Sequence, residues 1–108
     1  WFAVDETNNM LFWKAKTSNI TTHISPGDYS IYTLASTLQT AMNNNGNSGM
    51  GTVTVTPDIV TNTLIITYPD NTLKIHTDDE IPAQGFTAPY KSMNKRAPQL
   101  TYYISKIN

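Results

Sequence analysis

The chain has 108 residues, 39% of them hydrophobic and 14% charged, with a formal net charge of -1, which is enough for one packed domain and too little for two cores. That balance argues against a nucleic-acid partner, whose phosphates need clustered Lys and Arg, and the longest aliphatic run, Leu64-Ile65-Ile66, is far below the ~20 apolar residues that cross a bilayer. The absence of cysteine excludes disulfides, thiolate metal sites and a thiol nucleophile, while 17 Thr, 11 Asn and 7 Ser make the polar surface one of hydroxyls and amides.

Residues 1–5 and 10–16 are short aromatic-rich runs around Glu6-Thr7-Asn8-Asn9, where Asn accepts the dihedrals of a tight turn, so a hairpin is predicted. A third strand, Ile20 to Ile24, runs into Ser25-Pro26-Gly27-Asp28. There Pro presets the turn, Gly is expected to supply a positive φ, and the chain reverses. From Ile31 the apolar spacing changes: Ile31, Leu34, Ala35, Leu38, Ala41 and Met42 fall on one face of a helix spanning about residues 30–44. Ser30 is its predicted N-cap. The opposite face is written in Thr, Ser and Gln, which are mediocre helix formers, so this helix should depend on packing against a sheet.

Residues 43–51, almost all Asn, Gly and Ser, have little to bury and are expected to form a mobile loop. Thr52-Val53-Thr54-Val55-Thr56 alternates as a strand with its valines inward. Pro57-Asp58 opens a connection closed by Thr61-Asn62; Leu64, Ile66 and Tyr68 then share one face, Pro69-Asp70-Asn71 turns, and Leu73, Ile75 and Thr77 alternate again. This pattern predicts a three-stranded meander. Residues 78–98, with Pro82, Pro89 and Pro98, lack periodicity and read as a long surface excursion. A last strand, Leu100 to Ile107, carries aromatics on both faces, as expected of a central strand or one covered by a partner. The sum is an α+β fold, with antiparallel sheets of about six or seven short strands and one amphipathic helix packed on them. The opening Trp1-Phe2-Ala3-Val4 shows no signal-peptide pattern and the chain stops in strand residues, so residues 1–108 are expected to be a single domain cut from a longer polypeptide.

Chemistry-bearing residues are sparse. His23 and His76 are the groups suited to proton transfer near neutral pH, and each stands alone in a strand pattern. Asp78-Asp79-Glu80 offers hard oxygens, but no His pair has metal-ligand spacing and the calcium-loop pattern is absent. A glycosidase-type carboxylate pair would need Asp58 or Glu6 to face that run, and the Gly-rich stretch 46–51 lacks the ending of a phosphate-binding loop. Lys91, Lys95 and Arg96 form a small basic cluster, read as a solvated loop. Asn19-Ile20-Thr21 matches a glycosylation acceptor triplet. No catalytic residue, metal ligand or cofactor is assigned. The candidate interface is aromatic instead: Trp1, Phe2, Phe12, Trp13, Tyr90, Tyr102 and Tyr103. Adjacent aromatics point to opposite faces of a strand, so one of each pair lies off the main core and needs a second layer or a partner to cover it.

The order of these segments carries a resemblance. Asp5-Glu6-Thr7-Asn8-Asn9-Met10-Leu11-Phe12-Trp13 is followed by Ile24-Ser25-Pro26-Gly27-Asp28-Tyr29-Ser30-Ile31, then the helix through Asn43, then Thr52-Val53-Thr54-Val55, Asn62-Thr63-Leu64-Ile65-Ile66 and Gln84-Gly85-Phe86. This resembles a small α+β module of structural proteins, of minor capsid and fibre type, from double-stranded DNA viruses and related mobile elements. The resemblance implies a non-enzymatic assembly role in the virion, as a homo-oligomer or with other virion subunits, without nucleic-acid or membrane partners. The alternative it leaves is a receptor- or glycan-binding module at a fibre tip, stacking sugars on Trp1, Trp13 or Tyr90. A small hydrolase using His76 with Asp78 or Asp79 is the enzymatic rival.

Overall fold

The computed structural model describes residues 2–44, 52–69, 72–95 and 101–106, with Lys95 and residues 101–106 described by their backbone. The fold is α+β: small sheets, mainly antiparallel, with one main helix. Eight strands are present among the described residues, β1 (Phe2–Val4), β2 (Met10–Ala15), β3 (Ser18–His23), β4 (Gly27–Tyr29), β5 (Thr54–Asp58), β6 (Thr63–Tyr68), β7 (Lys74–Ile75) and β8 (Thr101–Lys106), with helix α1 (Ile31–Asn44) between β4 and β5. A single turn of helix, α2 (Glu80–Ala83), and a 3-10 turn at Met93–Lys95 lie between β7 and β8. The strands form three sheets, β1-β4, β3-β2-β7 and β5-β6-β8.

Helix α1 begins where its apolar period begins. The Thr33 N–H donates to Ser30 Oγ at 3.1 Å, and the Ser30 N–H donates back to Thr33 Oγ1 at 2.9 Å, a reciprocal cap with Thr in the place usually taken by Glu. Leu34, Ala35, Leu38 and Met42 are buried, with Ile31 and Ala41 packed at the margin. The rest of the core comes from the inward faces of the sheets, including Phe2, Val4, Leu11, Trp13, Val55, Leu64, Ile66 and Tyr68.

The helix also closes a sheet edge. Strand β5 has β6 on one side only, and its outer edge faces α1. The Gln39 Oε1 accepts the Val55 N–H at 3.0 Å, while Asn43 accepts the Val53 N–H at 2.9 Å and donates to the Val53 carbonyl at 2.8 Å. Residues 39 and 43 are one helical turn apart, so the two amides stack along the strand and satisfy backbone groups that an open edge would leave bare.

Several strand pairings differ from those predicted. The segment before Asn9 does not form a hairpin with β2; β1 pairs antiparallel with β4, and β2 has β3 on one edge and β7 on the other. The connecting turn satisfies itself: Asp5 Oδ1 accepts from the Thr7 N–H and hydroxyl, and Asn8 Oδ1 accepts the Asp5 N–H at 2.8 Å. With both edges of β2 occupied, β1 must find its ladder elsewhere. Gly27 is likewise a strand residue paired with Val4 and has no positive φ; the reversal at Pro26 is held by the Tyr29 hydroxyl, which donates to the Ser25 carbonyl at 2.5 Å.

The hairpin β5–β6 is as predicted, with Asn62 at φ 56 closing the turn, although β5 continues through Pro57 to Asp58. Proline is tolerated there because β5 is an edge strand. The third strand of the expected meander, β7, leaves for β2, and its place beside β6 is taken by β8, running parallel. Strand β8 is therefore at an edge among the described residues, not central. Of the predicted loop over 43–51, Asn43 and Asn44 belong instead to the last turn of α1, and residues 45–51, like the turn residues Asp70 and Asn71, lie outside the described residues.

Candidate functional site

The register of the β3-β2-β7 sheet sorts its side chains into two faces. Leu11, Trp13 and Ala15 of β2, with Ile20 and Thr22 of β3, face the core, where the Trp13 indole N–H donates to the Thr22 hydroxyl at 2.9 Å. Phe12 opposite Thr21, and Lys14 opposite Asn19 and Lys74, face the other way. His76 joins this outer face through its N–H, which donates to the Phe12 carbonyl at 2.9 Å.

Of residues 78–98, predicted as a surface excursion, 78–94 cover that outer face, and 96–98 lie outside the described residues. The Phe86 ring lies edge-on to Phe12 at 5.0 Å and to His76 at 5.6 Å, and Tyr90 is edge-on to Phe12 at 6.4 Å with its hydroxyl donating to the Phe86 carbonyl. The Met10 N–H donates to the Lys91 carbonyl at 2.8 Å and the Asn94 amide donates to the His76 carbonyl at 3.1 Å, pinning the far end. Ile81, Ser92 and Met93 are buried. No periodic pattern announces this, because the segment is held by isolated anchors and not by a helix or strand face.

The aromatic interface predicted from the sequence is corrected accordingly. Phe2, Phe12 and Trp13 are 3%, 2% and 0% exposed in the single chain, Phe2 and Trp13 in the core and Phe12 under residues 78–94. Phe12 and Trp13 do face opposite ways, but the layer over Phe12 comes from the same molecule. Trp13 is thereby removed as a sugar-stacking platform. Tyr90 is half-buried against Phe12, and Trp1 and the side chains of Tyr102 and Tyr103 lie outside the described residues.

His76 is the most buried titratable side chain of this region, at 2% exposure. The Asn19 amide nitrogen donates to the Gln84 carbonyl at 3.4 Å, which turns its Oδ1 toward His76 Nε2 at 3.0 Å. An acceptor there requires the proton on Nε2 and leaves Nδ1 bare. Among the described residues Nδ1 has no hydrogen-bond partner, and it stands 3.9 Å from Glu80 Oε1. Burial lowers the imidazole pKa below its ordinary value, Glu80 opposes this, and Lys74 and Lys14 reinforce it.

The acids beside His76 are engaged in structure. Glu80 accepts the Thr77 N–H at 2.9 Å and the Thr77 hydroxyl at 3.1 Å, and also pairs with Lys74 Nζ; these bonds hold its carboxyl down to about 2. The Glu80 carboxylate thus closes a turn from Thr77 just ahead of α2, whose N-cap residue Asp79 makes no side-chain cap hydrogen bond. Asp78 accepts from the Asn94 amide at 3.3 Å. His23 is exposed and lies between two open grooves of about 590 and 330 Å³ whose linings contain no carboxylate. The two histidines and the acidic run are not gathered together, and among the described residues no group of three His, Asp or Glu is placed to hold a metal ion. Among these residues no helix is long and apolar enough to cross a membrane. Of the predicted basic cluster, Lys91 is half-buried beside Met10, and Arg96 and the Lys95 side chain lie outside the described residues.

Among the described residues one aliphatic pair is strongly exposed, and no sequence pattern marks it. Ile59 and Val60, 63% and 90% exposed, occupy the tip of the β5–β6 hairpin. Asp58 Oδ1 accepts the Val60 and Thr61 N–H groups at 3.0 and 3.4 Å, so the tip is a built turn that presents both side chains outward. Comparison with known protein families, with curated proteins and with solved structures returned no match.

Proposed function

We propose that this chain is a non-enzymatic structural module of a virion protein, capsid- or fibre-associated, which acts through contacts with like and unlike subunits. The observation that carries the contact role is the Ile59-Val60 tip, two aliphatic side chains held in solvent by a turn with its own hydrogen bonds. Burying such a pair against a partner stabilises by about 1.5–3 kcal/mol per side chain, and rigidity before contact limits the entropy lost on binding. The virion assignment rests on the resemblance of the segment order from Asp5 to Phe86. The engagement of Glu80 and Asp78 in structural bonds around His76 favours assembly over the hydrolase reading.

Because the chain contains no cysteine, Val60→Cys creates a unique attachment point for a photo-crosslinker. Crosslinking in assembled particles should yield adducts with identified structural subunits or with a second copy of the chain. Sedimentation of the isolated chain should show association weakened by Val60→Asp. Strictly monomeric behaviour, unchanged by Val60→Asp and without structural-subunit adducts, would refute the proposal.

A further inference from the structure

His76 sits at the point where residues 78–94 are fastened to the outer face of the β3-β2-β7 sheet. Its Nε2 meets Asn19 of β3, its carbonyl accepts from Asn94, its ring meets the edge of Phe86, and Asn19 in turn donates to the Gln84 carbonyl. Around the ring stand Lys14 from β2, Lys74 from β7 and Glu80 from α2; Asp78, beyond, is bonded to Asn94.

We propose that residues 78–94 are an acid-released clasp with His76 as its latch: protonation of Nδ1 places an imidazolium in the buried seam and lifts the segment from Phe12. The neutral ring is compatible with the closed clasp because its single N–H is matched by Asn19. A second N–H on Nδ1 has no acceptor within hydrogen-bond distance among the described residues. The carboxylate it faces, at 3.9 Å, already accepts from Thr77 and Lys74, and two lysines add repulsion. Opening the clasp hydrates the cation and separates Phe86 from Phe12. The clasp is held by separate side-chain and backbone anchors, whereas the β5–β6 hairpin is a continuous ladder over a packed core, so the clasp yields first. This device is independent of the assembly role proposed above.

The sign follows from linkage. A histidine whose folded pKa lies below its unfolded value binds fewer protons when folded, so closure weakens as pH falls below about 6.5. Glu80, which titrates near 2, does not contribute in that range.

The test is amide hydrogen exchange between pH 7.5 and 5.5, corrected for intrinsic rates. Amides of residues 78–94 should lose protection relative to those of β5 and β6, by up to about tenfold at pH 5.5, which lies one unit below the ordinary imidazole value. His76→Gln should remove this differential loss, and His23→Gln should leave it in place. If His76→Gln does not fold, titration of the His76 ring by NMR in the unaltered chain decides: a midpoint below about 6.5, tracked by Phe86 and Asn94 signals, supports the clasp. A midpoint at or above that value, or equal loss of protection in the clasp and the hairpin, would overturn it.

Discussion

Replacing Asn43 by Ala removes the one side chain that satisfies both backbone groups of Val53, a residue with 0% exposure. Leaving a buried backbone donor or acceptor unpaired costs about 1–3 kcal/mol, so two such groups cost about 2–6 kcal/mol. Alanine is the better helix former, which returns up to ~0.7 kcal/mol. The net loss expected is about 1–5 kcal/mol, a large share of the ~5–15 kcal/mol that stabilises a domain. Gln39→Ala frees the Val55 N–H, and should cost about half as much. Urea unfolding followed by tryptophan fluorescence measures both, and the midpoint should fall without a change in slope. The opened β5 edge should also make the Asn43 variant more prone to self-association, which light scattering reads directly. Two variants within ~0.5 kcal/mol of the parent, the range of inert surface changes, would refute the claim that α1 closes the sheet edge.

Ser30→Ala should cost about 1 kcal/mol in the same assay, since it removes the oxygen that accepts the Thr33 N–H at the start of α1. Phe12→Ala should cost about 3–5 kcal/mol despite its place outside the main core. A double-mutant cycle with Phe86→Ala should return a coupling of about 0.5–1.5 kcal/mol, whereas additive losses would show that the rings do not meet. Glu80, held near 2 by Lys74 and Thr77, contributes stability that is present above its ordinary value near 4.5 and is lost as pH falls toward 2; Glu80→Gln should flatten the acid limb of a stability titration there.

The parts of the fold legible in the sequence are those governed by neighbours along the chain. The 3.6-residue period from Ile31 to Met42, the Ser30 cap and the alternation of Val53, Val55, Leu64 and Ile66 appear where they were read, because dihedral preference and facing are local properties. The turn that Glu80 closes on Thr77 is equally local, yet in the sequence Asp78-Asp79-Glu80 reads only as an acidic run.

Which strand pairs with which was decided by the tertiary structure. Loop length does not distinguish β1 returning to β2 from β1 crossing to β4, and alternation is satisfied by either neighbour; the outcome follows from both edges of β2 being taken. The covering of Phe12 is of the same kind. Sequence establishes that this ring lies off the core face, because consecutive strand residues point oppositely, but Phe86 and Tyr90 meet it across more than 70 residues. Contacts at that separation depend on where the whole backbone has been carried, a property no local pattern encodes.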